Sequence, residues 1–260
     1  MTYTETHLVP RIEQLAAEEI AALTQPQLDG IDQFHAGGAE AVSRILPTLE
    51  LSPAMTALDV GSGLGGPARQ VARTTGCAVV GVDITRSYVD TATALTRVAA
   101  LGTQVEFLHT DVSNLQRRDF DAAYTIHVQM NIADKKAFFT EVANRLRPGA
   151  RLAVFEVCRS GQQDANLPLP WSIDGSDSFL VKPEDLRGSI EKSGFETVEW
   201  VDDTGWIMDW FQDLGTRLAR AGTPATLPAL LDNGQTRMMN FAGALGAGLL
   251  SVHRGAFTRR

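Results

Sequence analysis

The chain has 260 residues, of which 44% are hydrophobic and 21% charged, a balance typical of a globular protein with a full core. No apolar run approaches the ~20 residues that cross a bilayer, and no basic stretch followed by an apolar core marks a secretory signal, so we expect a cytoplasmic protein without a membrane span. The net charge of −8 and the lack of a basic stripe disfavour a nucleic-acid partner.

Helical spacing of apolar residues predicts two helices near the N-terminus, over residues 10–23 and 39–49. From Thr56 to Val157, short apolar runs typical of strands alternate with longer helical patterns. This alternation predicts a mostly parallel sheet with helices on both faces, which is a doubly wound α/β fold. We expect residues 1–260 to form a single domain.

The C-terminal part breaks the alternation. After Val157 come a loop rich in Gly, Pro, Asp and Ser, then a helix, a strand and two further helical patterns. Residues 249–259 alternate like a closing strand, so residues 202–247 are predicted to be a helical cap inserted before it. Cys77 and Cys158 lie in apolar stretches, which favours core packing over a disulfide framework or a zinc site.

The segment LDVGSGLGG raises the question of the cofactor. Gly61, Gly63 and Gly66 satisfy the pattern G-x-G-x-x-G, and Asp83 lies about where a dinucleotide-binding protein has its acid. Asp59, however, precedes the first glycine by two residues, where a carboxylate would repel an incoming pyrophosphate. The same carboxylate would attract a cofactor that carries an ammonium and a sulfonium. Asp59 therefore favours S-adenosylmethionine over a dinucleotide.

Two further acids follow successive predicted strands. Asp83 could accept hydrogen bonds from both ribose hydroxyls of either cofactor, and Asp111 could accept one from an adenine amine. Each could also be an ordinary helix-cap or turn aspartate. Their spacing relative to the glycine loop favours a role in cofactor binding.

This ordered set of motifs resembles the class I S-adenosylmethionine-dependent methyltransferases: LDVGSGLGG for the glycine loop, GVD for ribose, HTDV for adenine, and LRPGARLAVFEV for a helix, turn and fifth strand. The resemblance implies a seven-stranded sheet whose last strand is antiparallel. The residues that it places at the cofactor are Phe34, Asp59, Gly61, Ser62, Gly63, Asp83, Ile84, Asp111, Val112 and His127.

The segments DQFHAGG, HVQMNI and LPLPW, with the late cap, resemble the branch of this family that methylates small molecules. The resemblance implies that helices within residues 1–50 cover the cofactor and that the partner is a small-molecule substrate. It implies no metal, because the acids of the metal-dependent branch have no counterpart. The oligomeric state is open, with a homodimer as one alternative.

Three residues are candidates for catalysis. His127 ends the fourth predicted strand beside the glycine loop and could take a proton from the nucleophile, or could only orient the cofactor. His35, in QFHAGG, is a weaker candidate that could instead cap a helix. Glu156 ends the fifth strand and could accept a hydrogen bond from the substrate, or could pair with an arginine.

Apolar residues are candidates for the substrate pocket. Met130, in HVQMNI, and Trp171, in LPLPW, are predicted to line it. Trp206 and Trp210 lie one helical turn apart in the cap and share a face, which could close the pocket or simply pack on the core.

The function that we expect is in-line transfer of a methyl group from S-adenosylmethionine to N, O or C of a small, partly apolar metabolite. One alternative is a protein of the same fold that catalyses another reaction, such as a cyclisation, and keeps the cofactor as a scaffold. An NAD(P)-dependent oxidoreductase and a cofactor-sensing binding module are further alternatives.

Overall fold

A single sheet organises the fold of the computed structural model, which describes residues 3–221 and 227–260. Its strands are β1 (Thr56–Val60), β2 (Ala78–Asp83), β3 (Val105–His109), β4 (Phe120–Ile126), β5 (Leu146–Arg159), β6 (Phe195–Asp202) and β7 (Leu250–Arg259). The seven strands lie in the order β3-β2-β1-β4-β5-β7-β6. Strand β7 runs antiparallel to both of its neighbours, while β1 to β5 pair in parallel. The predicted fold is confirmed.

Helices cover both faces of the sheet. They are α1 (Leu8–Ala16), α2 (Gln25–Asp32), α3 (Gly38–Ile45), α4 (Gly66–Thr75), α5 (Arg86–Val98), α6 (Lys135–Arg145), α7 (Pro183–Lys192), α8 (Thr204–Ala221), α9 (Leu227–Leu230) and α10 (Gly234–Gly246). Within the described ranges, none of these helices is long and apolar enough to cross a membrane.

Strand alternation explains the two main cores. Successive side chains of a strand point to opposite faces, so Ala57 packs with α3 and α4 while Leu58 packs with α6 and α7. Strand order reverses between β1 and β4, because β2 and β3 continue on one side and β4 on the other. Ligands of such sheets bind at this reversal, beyond the carboxyl ends of the strands.

The N-terminal helices differ from the prediction. The helix expected over residues 10–23 ends at Ala16, because Ala17 adopts a left-handed conformation with φ of 57°. Helix α2 was not predicted at all, although Thr24 and Gln27 form a capping box in which Thr24 N donates to Gln27 Oε1 at 2.9 Å. This helix matters because it leads directly into Phe34 and His35.

The predicted cap contains α8, α9 and α10, which precede β7 as expected. Residues 222–226, where its two predicted helices meet, lie outside the described residues. The inward face of α8 buries Ile207 in the same core as Phe241 of α10. The cap therefore packs onto the part of the sheet that contains β5 and β7.

Candidate active site

A cleft with a cavity volume of about 150 Å³ lies at the carboxyl ends of β1 to β4. All ten residues predicted to contact a cofactor line it: Phe34, Asp59, Gly61, Ser62, Gly63, Asp83, Ile84, Asp111, Val112 and His127. Their individual contacts with a cofactor stay predictions, but the fold brings the whole set to one cleft.

The glycine loop is folded against the end of β2. The backbone N–H groups of Gly61 and Ser62 both donate to Val82 O, at 2.8 and 3.1 Å. Gly61 has φ of 80°, and a Cβ atom added there would lie 2.5 Å from Cγ2 of Val128. Only glycine fits this position, because both the backbone conformation and the close packing exclude a side chain.

Asp83 joins the glycine loop to the start of α5. Its Oδ2 accepts a hydrogen bond from Gly63 N at 2.9 Å, and its Oδ1 accepts one from Thr85 N at 2.8 Å. Burial raises the pKa of this carboxyl. Asp111 is more exposed and accepts from Ser113 N at 2.8 Å, so it caps a short helical turn while it lines the cleft.

Asp59 is a buried acid at the floor of the cleft, 2% exposed. Its Oδ2 has no hydrogen-bond partner in the described part of the chain. Burial raises the pKa of Asp59 to about 8; the nearby hydroxyl of Tyr124 lowers this pKa, and the charge of Asp83 raises it further. A buried acid with an unpartnered oxygen fits a cationic cofactor, because a neighbouring positive charge would favour the ionised form of the carboxyl. The contact of Asp59 with the cofactor stays a prediction.

The raised pKa of Asp59 predicts that cofactor binding is linked to proton release. A cation beside the carboxyl favours its ionised form, so binding at pH 7 should release about one proton. Because the acid is mostly protonated below pH 8, affinity for S-adenosylmethionine should fall up to about tenfold per pH unit below that value. Titration calorimetry in two buffers of different ionisation enthalpy measures the released proton.

The matched control is Asp59→Asn, which should bind the cofactor more weakly and lose this proton release. Equal proton release by the variant and the unaltered protein would assign the linkage to another group, such as Asp83. A variant that gains affinity for NAD(P) without losing it for S-adenosylmethionine would contradict the proposed electrostatic preference.

His127 follows β4 and lies between the cofactor cleft and a second cavity. It has an uncommon left-handed backbone with φ of 54°, and its ring stacks on Phe155 with centroids 5.6 Å apart and planes at 2°. Its Nε2 is buried without a hydrogen-bond partner among the described residues. Burial, and to a lesser extent the neighbouring His35, lowers the pKa of His127 well below its ordinary value. The ring is therefore neutral near pH 7.

His35 lies beside His127, with ring centroids 6.0 Å apart. Each of its ring nitrogens lies beside an oxygen, Nδ1 3.1 Å from Ala36 O and Nε2 3.0 Å from Oε1 of Gln33, and the neutral ring has one N–H to donate between them. Burial lowers its pKa to about 4. This arrangement suits a residue that orients its neighbours rather than one that takes a proton.

Glu156 lies behind the site instead of in it. The side chain is fully buried and lines neither cavity. Oε1 accepts from Oγ1 of Thr125 at 2.6 Å, and Oε2 accepts from the N–H groups of Val128 and Gln129 at 2.9 and 3.2 Å. Among the described residues its hydrogen-bond partners are therefore Thr125, Val128 and Gln129 and not an arginine. A hydrogen bond from Glu156 to a substrate would need the side chain to reach a cavity, which it does not do here.

The second cavity has a volume of about 30 Å³. Its lining is Tyr3, Phe34, His35, Ala36, His127, Met130, Pro170, Trp171, Leu231, Met238 and Phe241. Met130 and Trp171, which the sequence predicted to line the substrate pocket, both belong to this lining, and their contact with a substrate stays a prediction. The rings of Trp171 and Phe241 meet edge to face with centroids 5.4 Å apart, and among the described side chains no Asp, Glu, Lys or Arg lines this cavity.

Trp206 and Trp210 line neither of these two cavities. The indole of Trp206 packs under the guanidinium of Arg44, 4.1 Å from its ring centroid, and edge to face with Phe155. Trp210 lies close to Gly38 at the start of α3. The shared helical face is real, but it packs on α3, and Phe241 of α10 is the cap aromatic that reaches the cavity.

Comparisons with known proteins agree with this geometry. Residues 58–154 match a family model described as a methyltransferase domain. The O-methyltransferase resE of Aspergillus sclerotiorum is 32% identical over 152 residues, which make up 56% of this chain and 56% of that protein. The chain belongs to the class I S-adenosylmethionine-dependent methyltransferases. The predictions of family and cofactor are thereby confirmed.

Solved structures share the fold of this methyltransferase. Geranyl diphosphate C-methyltransferase from Streptomyces coelicolor A3(2), solved with Mg²⁺, geranyl-S-thiolodiphosphate and S-adenosyl-L-homocysteine, aligns with a TM-score of 0.72 at 15% identity over 100% of both chains. The [4+2]-cyclase SpnF aligns with a TM-score of 0.65 at 20% identity over 95% of this chain and 96% of its own. The matches to four curated relatives cover 42–66% of the length of those proteins.

The methyltransferase site includes residues that sequence reasoning missed. Tyr3 lines both cavities, Tyr88 lines the cofactor cleft, and Phe241 lines the second cavity. The hydroxyl of Tyr88 donates to Oε2 of Glu5 at 2.8 Å, which ties the N-terminal segment to α5. Tyr88 sits near the start of the helix that follows Asp83, a local signal that could have found it. Tyr3 and Phe241 have no such signal, because only the fold brings them near the motifs.

Proposed function

We propose that this methyltransferase transfers the methyl group to a neutral, largely apolar small molecule, with His127 accepting the proton that the acceptor loses. The observation that carries the proposal is the place of His127, which lines both cavities and has a buried Nε2 without a partner among the described residues. A neutral imidazole at this junction can take a proton from a group in the second cavity that faces the cofactor cleft.

The residues of the cofactor cleft fit the roles that the motifs predict. S-adenosylmethionine, when bound, supplies an electrophilic methyl group on a sulfonium. Asp83 and Asp111 would accept hydrogen bonds from ribose and adenine, and the unpartnered oxygen of Asp59 would face the positive end of the cofactor. Three separate strand ends would thus hold the cofactor in one orientation relative to His127.

The second cavity favours an uncharged acceptor. The cation next to its lining is Arg237, which is fully buried and already engaged: Nε donates to Leu169 O at 3.0 Å, and Nη1 lies 3.6 Å from Oε1 of Glu5. An anionic head group would therefore find no free cation there in the part of the chain that the structure describes, and burying an unpaired charge is costly. This lining differs from what the diphosphate named in the structural neighbour would need.

The size of the second cavity implies movement on binding. A cavity of about 30 Å³ holds roughly two water molecules, since each needs about 10–15 Å³ by the same measure. An acceptor larger than that must displace side chains of the lining. Met130 and Met238 are the unbranched members of this lining and the ones best able to change conformation.

Two segments would enclose the substrates. We assign residues 1–50 to the cover of the cofactor, supported by Tyr3 and Phe34, which line the cleft. We assign residues 202–247 to the cover of the methyl acceptor, supported by Phe241, which lines the second cavity. Closure by these segments would exclude water from the transferring methyl group. A cytoplasmic location and a homodimer stay predictions.

Transfer of a labelled methyl group tests the proposal. The purified protein is incubated with methyl-labelled S-adenosylmethionine and matched acceptors: neutral aromatic or aliphatic alcohols, their phosphate esters, and carboxylic acids of the same skeleton. We expect label in the neutral alcohols. Label in the phosphate esters alone would contradict the neutral pocket, and rearrangement of an acceptor without label would favour the cyclase alternative.

Phe241→Leu tests the acceptor pocket. Loss of its edge-to-face contact with Trp171 should raise KM for the acceptor about two- to tenfold, with affinity for S-adenosylhomocysteine nearly unchanged. Trp210→Leu is the matched control, because its ring packs near Gly38, away from the cavity lining. Steady-state kinetics and thermal unfolding separate the two. A larger rise in KM for Trp210→Leu than for Phe241→Leu would show that the aromatic face of α8 lines the acceptor pocket.

A further inference from the structure

A buried carboxylate supports the backbone of the segment that carries His127. Glu156 is 0% exposed, and its Oε2 accepts from two consecutive backbone N–H groups, those of Val128 and Gln129. Its Oε1 accepts from Oγ1 of Thr125, the second-last residue of β4. All three donors lie within two residues of His127, on both sides of it along the chain.

The conformation of the segment explains why an anion fits there. His127 is left-handed with φ of 54°, and Val128 follows in a right-handed conformation with φ of −113° and ψ of −43°. Consecutive N–H groups in such a turn point to one side and form a nest for an anion. The left-handed region is unfavourable for a residue with a side chain, and the two hydrogen bonds to Glu156 offset part of that cost. Burial raises the pKa of Glu156 to about 7, while the hydrogen bonds from Thr125, Gln129 and Val128 favour its ionised form.

Lys135 binds the other end of the segment formed by residues 127–132. Nζ of Lys135 donates to Gln129 O at 2.6 Å and to Phe179 O at 2.6 Å, and also contacts Ile132 O. The carboxylate thus holds N–H groups near the start of residues 127–132, and the ammonium holds carbonyl groups further along. Glu156 lines neither cavity, so it has no direct access to a substrate.

The geometry points to Glu156 as a positioning residue: by filling the nest behind His127, it sets the direction of the imidazole toward the junction of the two cavities. The inference rests on the proposed role of His127 as the proton acceptor. Glu156 would act on kcat through His127, although its hydrogen bond with Val128 N also holds a residue that lines the cofactor cleft.

Glu156→Gln tests the inference, because glutamine keeps the shape but replaces one acceptor oxygen with an NH₂ group that cannot accept from a backbone N–H. We expect kcat to fall about 10- to 100-fold, with affinity for S-adenosylhomocysteine changed less than about threefold. The ring ¹⁵N resonances of His127 should shift or broaden, which reports on the imidazole without turnover.

Asp121→Asn is the matched control. Asp121 Oδ2 accepts from Thr56 N at 2.7 Å at the opposite end of β4, so this acid-to-amide change also removes a backbone acceptor but lies away from the site. It should lower the melting temperature without moving the His127 resonances. A shift of those resonances as large in Asp121→Asn as in Glu156→Gln would overturn the inference.

A double-mutant cycle with His127→Asn decides whether Glu156 acts through the histidine. We expect Glu156→Gln to cause no further loss of kcat in the His127→Asn background; an equal loss in both backgrounds overturns the inference. If His127→Asn alone is fully active, the proposed function fails instead. If Glu156→Gln does not fold, Thr125→Val replaces it in the same double-mutant cycle, because this variant removes one of the three donors to Glu156.

Discussion

Replacement of Asp83 by alanine is expected to weaken binding of S-adenosylmethionine at least about a hundredfold. Two hydrogen bonds from ribose hydroxyls to a charged acceptor are lost, and each contributes about 1.5–3 kcal/mol. The structure adds a second effect: Asp83 also accepts from Gly63 N and Thr85 N, so its removal frees the glycine loop from the start of α5. Titration calorimetry with S-adenosylmethionine measures the change.

Two comparisons separate the effects of Asp83. Asp83→Asn keeps one acceptor oxygen for the backbone, so its loss of affinity should be smaller than that of alanine. Asp119→Asn changes an exposed acid outside the cleft and should leave affinity unaltered. A folded Asp83→Ala protein that binds the cofactor as tightly as the unaltered protein would contradict the ribose assignment.

Replacement of His127 by asparagine is expected to lower kcat about a hundred- to ten-thousandfold, the contribution typical of a positioned general base. Asparagine is the suitable replacement because it tolerates the left-handed backbone at φ of 54°, whereas alanine would add strain. Affinity for S-adenosylhomocysteine should change little. Steady-state kinetics at saturating cofactor, with calorimetry alongside, provides both measurements.

The pH dependence of kcat gives a second test of His127 as the proton acceptor. Because burial lowers the pKa of His127, the ring stays in its proton-accepting form as the pH falls from 8 to 6, and kcat at saturating cofactor should not be lost through this group. The deficit of His127→Asn should shrink at higher pH, where the acceptor ionises without help. Equal turnover of variant and unaltered protein across this range would remove His127 from the catalytic residues.

The cofactor cleft was predictable because its signals are local. Gly61 and Asp83 belong to strand-end motifs, and parallel strands deliver their carboxyl ends to one edge whatever the details of packing. Strand-end residues at the expected spacing along the chain therefore lie close together in the fold. The same logic failed for α2: its capping box, Thr24 with Gln27, was present in the sequence but not recognised.

The residues that line the second cavity were less predictable, because tertiary packing determines which side chains reach it. Helical spacing correctly put Trp206 and Trp210 on one face, but periodicity does not say which neighbour that face meets. In the fold, that face meets α3, and Phe241 of the next described long helix reaches the cavity beside Trp171.

The sequence by itself determined the alternating α/β architecture, the glycine turn and the acids that line the cleft, since these depend on residue type and spacing over a few positions. Only the tertiary structure determines how deeply the catalytic candidates are buried and which hydrogen-bond partners they have. Glu156 is buried behind His127, each ring nitrogen of His35 lies beside an oxygen, and Nε2 of His127 is left without a partner in the described chain. Burial and hydrogen-bond partners come from segments far apart in the chain, which no local pattern encodes.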